Sequence, residues 1–322
     1  MKWTKLFRIQ RVLPHRVRTA LGWMSFILPL LVWCLVSYVP SIWHPLIMVT
    51  DPGSVQYLQP GMRMERQAFD SEAADAKAQG LEPPKGYRAN PIYLPAPHEV
   101  LRALYTSFVT PPVQKDGLWL HESLWKSIQV IFWGFTISSL VGVPLGVLCG
   151  AYGFFSRISE PFIEFFRYLP APAFGALMVA ILGIYDGPKI AIIVIGTFYQ
   201  QVLIIANTTR KLDGALVEAA QTLGAKRTQL LGHVVLPGIL PDLFRDQRIL
   251  LGWAWTYLIV AELIGATSGI TWFITQQARY QHFENVFAAI IIIGIIGLGS
   301  DMILAWFGKR LFPWEKTLVK SA

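Results

Sequence analysis

Apolar residues along this chain collect in long runs, with polar residues gathered between them. The first run, residues 21–39, is apolar for nineteen residues, about the length a helix needs to cross a hydrocarbon core of about 30 Å. Ahead of it, residues 1–20 carry Lys2, Lys5, Arg8, Arg11, Arg16 and Arg18 and no acid. This predicts a cytoplasmic basic N-terminus and a retained first transmembrane helix at 21–39. A cleaved signal peptide is the competing reading, but the run is long and ends in Tyr38-Val39-Pro40 without a small-x-small cleavage site.

Five further runs predict spans at about 128–151, 161–184, 190–206, 249–266 and 286–307. The second span carries Gly134, Ser138, Gly142, Gly146 and Gly150 on one face, a strip that lets another helix approach closely, either as static packing or as a movable seam. Pro144 beside it is expected to bend the helix. In the third, Arg167-Tyr168-Leu169-Pro170-Ala171-Pro172 removes helix hydrogen bonds near mid-membrane. Broken backbone at that depth is tolerated only inside protein or along a cavity. Tyr185-Asp186-Gly187-Pro188 reads as a tight outer turn, and Phe198-Tyr199-Gln200-Gln201 in the fourth span either faces a path or packs between helices.

Two polar stretches interrupt the runs. Residues 40–117 are proline-rich with mixed charges and read as extracytoplasmic; 71–79 is helix-competent and stopped by Gly80, and 97–104 suggests a short helix along the membrane surface. Residues 207–248 hold Arg210, Lys211, Lys226, Arg227, Arg245 and Arg248, an excess that places them in the cytoplasm. Within them Asp213 is a candidate N-cap, Leu216, Ala219, Ala220 and Leu223 recur at helical spacing, and Gly224 suits a left-handed C-terminal cap. The whole pattern predicts an all-α polytopic membrane protein of six transmembrane helices with both ends inside.

Composition agrees: of 322 residues, 53% are hydrophobic and 15% charged, with mean hydropathy +0.44. The net charge of +8 lies in clusters beside apolar runs, which fits membrane topology and lipid headgroups and argues against nucleic acid. Cys34 and Cys149 sit inside apolar segments, so no disulfide is expected, and the histidines show no metal-ligand spacing. No GxxxxGK[ST] phosphate loop is present. Three ionisable groups fall inside spans. Helical rise puts Arg167 and Asp301 both about 9 Å from the cytoplasmic surface, so either they pair or Arg167 snorkels to the headgroups. Glu262 lies nearer the outer side, lining a cavity or bonding within the bundle.

Glu218-Ala219-Ala220, Gly224, Val234 and Leu236-Pro237 stand at the intervals EAA, three residues, G, nine residues, I-x-LP, with valine for isoleucine. In this the chain resembles the permease subunits of ABC importers, specifically the nitrate, sulfonate and taurine branch. Further likeness lies in Glu160-Pro161-Phe162-Ile163, Arg167 with Leu169-Pro170-Ala171, Leu250 to Trp255, Ala261-Glu262-Leu263-Ile264-Gly265-Ala266 and Arg310 to Trp314. It covers about residues 94–314, leaves 41–93 unexplained as an enlarged extracytoplasmic segment, and weakens at Phe174 to Leu182, where Gly175 to Ala180 lacks the family's frequent proline and tryptophan.

The resemblance implies a type I importer permease: a core at 118–314 with five spans, a coupling loop at 207–248 and a cytoplasmic tail at 315–322. It implies a homodimer in the bacterial inner membrane, with cytoplasmic ATPase subunits and an extracytoplasmic solute-binding protein. ATP and Mg would sit on the ATPase, leaving no catalytic, cofactor or metal residue on this chain. Glu218, Ala219, Ala220, Leu223, Gly224, Leu236 and Pro237 would couple to the ATPase. Arg167, Tyr168, Pro170, Tyr199, Gln200, Gln201, Glu262 and Asp301 are candidates for the path or for intramembrane polar contacts. A secondary transporter or channel working without an ATPase is the alternative, and it would need a coupling-ion site or selectivity ring of its own.

Overall fold

The computed structural model describes residues 14–39, 42–89, 93–111, 119–264 and 268–314. Lys2, Lys5, Arg8 and Arg11, Gly265 and Ala266, and the tail at 315–322 therefore lie outside the described residues. The chain divides into two compact units, Met1–Thr106 with Tyr280–Ala288 and Ser107–Arg279 with Ala289–Ala322.

In the first unit, helix α1 (His15–Tyr38) begins six residues before the expected position 21, and Trp23, Phe26, Leu28 and Leu31 lie exposed along it. Its C-terminal end is pinned by side-chain contacts. Trp33 Nε1 donates to the Pro95 carbonyl at 3.0 Å, its ring stacks on Phe287 at 5.7 Å, and Tyr38 Oη lies 2.6 Å from His98 Nδ1. The segment expected to be all loop and helix instead contains a three-stranded antiparallel sheet of order β2-β1-β3. Here β1 is Leu46–Asp51, β2 Arg63–Glu65 and β3 Lys85–Arg88.

Alternation along β1 turns Ile47 and Val49 inward, where Leu58 and Phe69 complete a small core. Gly86 allows β1 and β3 to approach, since a Cβ there would stand 2.6 Å from the Met48 carbonyl oxygen. Phe69 belongs to helix α2 (Arg66–Ala78), which starts five residues before the expected 71. The strictly all-α expectation is thus corrected by this sheet. Helix α3 (Pro97–Val109) runs five residues beyond the expected 104.

The second unit is built on helices α4 (Leu120–Ala151) and α7 (Asp186–Arg210). The small-residue strip faces α7 as the spacing predicts: a Cβ at Gly134 would fall 2.7 Å from Ile193, and one at Gly146 would fall 2.8 Å from Ile205. Those clashes mean that the backbones approach more closely than any larger residue allows. Helix α4 starts eight residues before the expected 128.

The third run is not one helix. Helix α5 (Gly153–Phe166) starts after Tyr152 and contains Pro161; a 3₁₀ turn at Ala171–Phe174 and helix α6 (Gly175–Leu182) follow, bent by 84° from α5. Pro170 and Pro172 supply the cause, because neither has an N–H to continue the ladder. Gly183, at φ +81°, turns the chain into α7, and Pro188 stands in its first turn, where no N–H is needed.

Helix α8 (Gly214–Thr222), a single turn α9 (Arg227–Gln229) and a wide π turn (Leu230–Val235) lead into α10 (Leu236–Ile264). Helix α10 is far longer than the span expected at 249–266, because its polar first half is continuous with its apolar second half. A short helix not foreseen in the sequence, α11 (Ile270–Arg279), precedes α12 (Phe283–Leu311), which starts three residues before the expected 286.

Among the described residues, α1, α4, α7 and α12 are long and apolar enough to cross a membrane, and the bent pair of α5 with α6 makes a fifth candidate. Helix α10 is not among them: Arg248, Glu262 and its tryptophans dilute the apolar run.

Candidate functional site

Helix α8 carries the EAA residues and is closed at both ends by its own neighbours. The Asp213 carboxylate accepts from Ala215 N at 3.0 Å. At the far end Gly224 stands at φ +86°, with Gly224 N donating to the Gln221 carbonyl at 2.9 Å and Ala225 N to the Ala220 carbonyl at 3.0 Å. This crossed pair is the Schellman arrangement, which satisfies carbonyls that a helix end otherwise leaves open. Both caps agree with the sequence reading. No residue of α8 is buried, and Leu216 and Leu223 are 51% and 88% exposed. Glu218 and Ala219 also face outward, and Ala220 is half-buried.

The return to the bundle is anchored rather than loose. Lys226 N donates to Gln229 Oε1 at 2.8 Å, opening α9. In the π turn Leu236 N reaches back five residues to the Leu231 carbonyl, just where Pro237 lacks an N–H to offer. Leu231, Val235 and Leu236 pack on buried Val147, Ile205 and Ile239, so the Leu236-Pro237 step is seated on α4 and α7. Arg210 at the end of α7 donates to Glu160 on α5 and, at 3.2 Å, to Ser156 Oγ. Thr208 donates to Asp246 of α10. Burial of this carboxyl, in the polar half of α10, raises its pKa, and the Thr208 bond partly offsets that.

The candidate polar residues inside the spans separate into three groups. Gln201 is fully buried and joins three helices: Ser138 Oγ donates to its Oε1, and its Nε2 donates to Ser139 Oγ at 2.8 Å and to Gln247 Oε1 at 3.0 Å. Tyr199 stacks on Phe166 at 5.7 Å, and Gln200 is half-buried.

Glu262, 1% exposed, accepts from Ser127 Oγ and, at 2.8 Å, from Thr271 N. Ser127 Oγ also accepts from Ile270 N at 2.8 Å. Gly269, at φ +105°, lies against the carboxylate with no room for a Cβ. Beside this turn the buried Lys189 Nζ reaches Ser268 Oγ at 2.9 Å and Asp186 Oδ1 at 3.1 Å. Glu262 therefore bonds within the bundle, the second of its two sequence readings.

Arg167, Tyr168 and Pro170 are exposed at the α5–α6 break; Arg167 Nη2 donates to the Tyr168 hydroxyl at 3.0 Å, and its guanidinium lies 4.9 Å from that ring's centre. The expected pairing of Arg167 with Asp301 is not formed. Asp301 is held in a bidentate pair by Arg248, with Nε to Oδ1 at 2.9 Å and Nη2 to Oδ2 at 2.8 Å. Depth alone pointed to Arg167; the rotation of α10 decides for Arg248. Sequence reasoning missed Gln247, Arg248 and Lys189 as polar partners within the bundle. The first two stand where α10 changes from polar to apolar, and Lys189 lies three residues after Asp186, the only local signals available.

Residues 142–313 match the family model for the binding-protein-dependent transport system inner membrane component. The chain is 33% identical over 226 residues to the taurine transport system permease protein TauC of Escherichia coli, covering 70% of this chain and 82% of that one. It is 30% identical over 202 residues to a putative aliphatic sulfonates transport permease protein of Bacillus subtilis, covering 62% and 73%. A nitrate import permease protein of Synechocystis is 25% identical over 228 residues, covering 69% and 82%. Among solved structures, an inward-facing MetNI methionine ABC transporter chain aligns with TM-score 0.53 at 20% identity, over 62% of this chain and 97% of that one. That likeness speaks for the fold. With the family match over more than half its length, the chain belongs to the binding-protein-dependent inner membrane components and is an ABC importer permease of the nitrate, sulfonate and taurine type.

Proposed function

We propose that this permease forms half of a homodimeric path in a bacterial inner membrane, carrying a small solute, an anion such as nitrate, a sulfonate or taurine, delivered by an extracytoplasmic binding protein. A cytoplasmic ATPase holding ATP and Mg drives alternating access by docking on α8. The observation that carries this reading is the combination at α8: a helix capped at both ends, with exposed Leu216 and Leu223, continuous through a packed turn with α10. Such a body transmits a displacement as a unit, whereas an unanchored loop absorbs it. The named transport systems of its relatives motivate the substrate class.

The test is co-purification and reconstitution. An ATPase subunit is expected to co-purify with the chain, and Glu218→Arg or Leu223→Asp is expected to abolish that association while the permease remains folded. In the reconstituted complex, ATP hydrolysis should rise with binding protein and one of taurine, alkanesulfonates or nitrate. Solute flux through the chain alone, without ATP, would refute the reading and favour a channel or secondary transporter.

A further inference from the structure

A cavity of about 580 Å³ opens between α4, α10 and α12, within the size range of small-molecule sites. Phe135, Leu140, Val143, Phe244 and Leu304 make apolar walls, and Thr136, Ser139, Gln247 and Arg248 are its polar lining. The polar groups are unevenly satisfied. Gln247 Oε1 accepts from Ser139 Oγ at 3.2 Å and from Gln201 Nε2 at 3.0 Å. Its Nε2 is buried and has no hydrogen-bond partner among the described residues. A buried amide donor without an acceptor is costly, and an acceptor oxygen reaching Nε2 from the cavity would offset that cost. Arg248 gives Nε and Nη2 to Asp301, and Nη1 is not part of that pair.

The surroundings of the mouth decide the occupant. Leu140 on one rim is 75% exposed, and Met302 and Ile303 beside Leu304 on the other are 63% and 58% exposed. Both α4 and α12 are long and apolar enough to cross a membrane, which would set these side chains against hydrocarbon and open the cavity to the side. Along α10, Asp242, Arg245 and Asp246 precede Gln247-Arg248, and Ile249-Leu250-Leu251 follow. The polar lining thus sits where headgroup gives way to acyl chain.

We propose that this cavity binds one phospholipid of the cytoplasmic leaflet. Its acyl chain lies along Phe135, Val143 and Leu304, and an ester or phosphate oxygen accepts from Gln247 Nε2 and Arg248 Nη1. Because Asp301 balances the Arg248 charge, binding depends on the acceptor and not on net headgroup charge. Zwitterionic and anionic phospholipids should therefore bind about equally. The leaflet follows from the cytoplasmic placement of residues 207–248, whereas the site stands on its own residues, whichever solute the permease carries.

Native mass spectrometry of the full-length chain tests this, using delipidated protein titrated with phosphatidylethanolamine or phosphatidylglycerol. Wild type is expected to retain one tightly held lipid per chain with either headgroup. Gln247→Leu, which keeps the volume and removes the Nε2 donor together with the Oε1 acceptor that Gln201 and Ser139 use, should weaken retention about tenfold, and Leu304→Trp, which fills the cavity, should abolish it. Gel filtration checks that each variant remains intact; should Leu304→Trp not assemble, Gln247→Leu decides. Absence of tightly held lipid in wild type, equal retention in Gln247→Leu, or a large preference for one headgroup overturns the assignment. So does displacement of the lipid by taurine, an alkanesulfonate or nitrate, which would make the cavity part of a solute path. Cross-linking of a cysteine at position 304 to a second copy of the chain would assign the groove to a protein interface instead.

Discussion

Two short helices of this permease begin in opposite ways. At α8 the N-terminal N–H groups are met by Asp213, the residue just before the helix, and the C-terminus closes on Gly224 and Ala225. At α11 the first N–H groups are met by Ser127, brought from α4, and by Glu262, from the preceding helix. The first helix is capped by its own neighbours and has no fully buried residue; the second borrows its beginning from the bundle. A self-contained helix can present an exposed surface to a partner and move as a body. A helix whose first turn is bonded to two others is held where they hold it. The contrast therefore separates a part suited to transmit motion from a part suited to resist it.

The sharpest way to break that contrast is at Glu262. Replacing it with alanine strands Thr271 N and the Ser127 hydroxyl in a buried site, at a cost of about 3 kcal/mol summed over the two groups. Thermal unfolding of the purified chain in detergent should show a clear loss of stability for Glu262→Ala and a smaller loss for Glu262→Gln, which keeps an acceptor. Equal melting of wild type and Glu262→Ala would mean that α11 is held by something else.

A smaller effect is expected at the Arg248–Asp301 pair, whose side chains are 27% and 44% exposed. A double-mutant cycle of Arg248→Ala and Asp301→Ala should return a coupling of about 1 kcal/mol, since solvent and headgroups screen it. The matching cycle with Arg167→Ala should return no coupling. The reverse result would restore the pairing inferred from depth.

What could be read in the sequence follows the same divide between local and borrowed bonds. Asp213 and Gly224 announced the ends of α8 because each cap is made within a few residues. The Gly134-to-Gly150 strip announced a close helix contact because its period is that of one helix face. Pro170 and Pro172 announced the break in the third run. By contrast, β1 is six residues set between Pro45 and Pro52, and its partners are only three and four residues long, so no run was long enough to show alternation. The partners of Glu262 and Asp301 depend on how α4, α10 and α12 are rotated. Depth along an axis carries no information about that rotation.

The smallest effect on stability, and the most informative about function, belongs to the caps of α8. A Cβ at Gly224 would meet no atom within 4 Å, so Gly224→Ala costs only the left-handed backbone, about 1–2 kcal/mol. Asp213→Ala removes the N-cap bond, about 1 kcal/mol. Because α8 has no buried residue, neither loss reaches the core, and the melting temperature of the chain should change little in either variant. Amide hydrogen exchange within Gly214–Thr222 should nevertheless quicken by about five- to thirtyfold, the equivalent of about 1–2 kcal/mol. If α8 is the element an ATPase pushes, transport per ATP should fall in both variants while the bundle stays intact, because a frayed helix yields to the push. Faster exchange with transport per ATP unchanged would show that the rigidity of α8 is incidental and would move the coupling surface to the packed turn at Leu231, Val235 and Leu236.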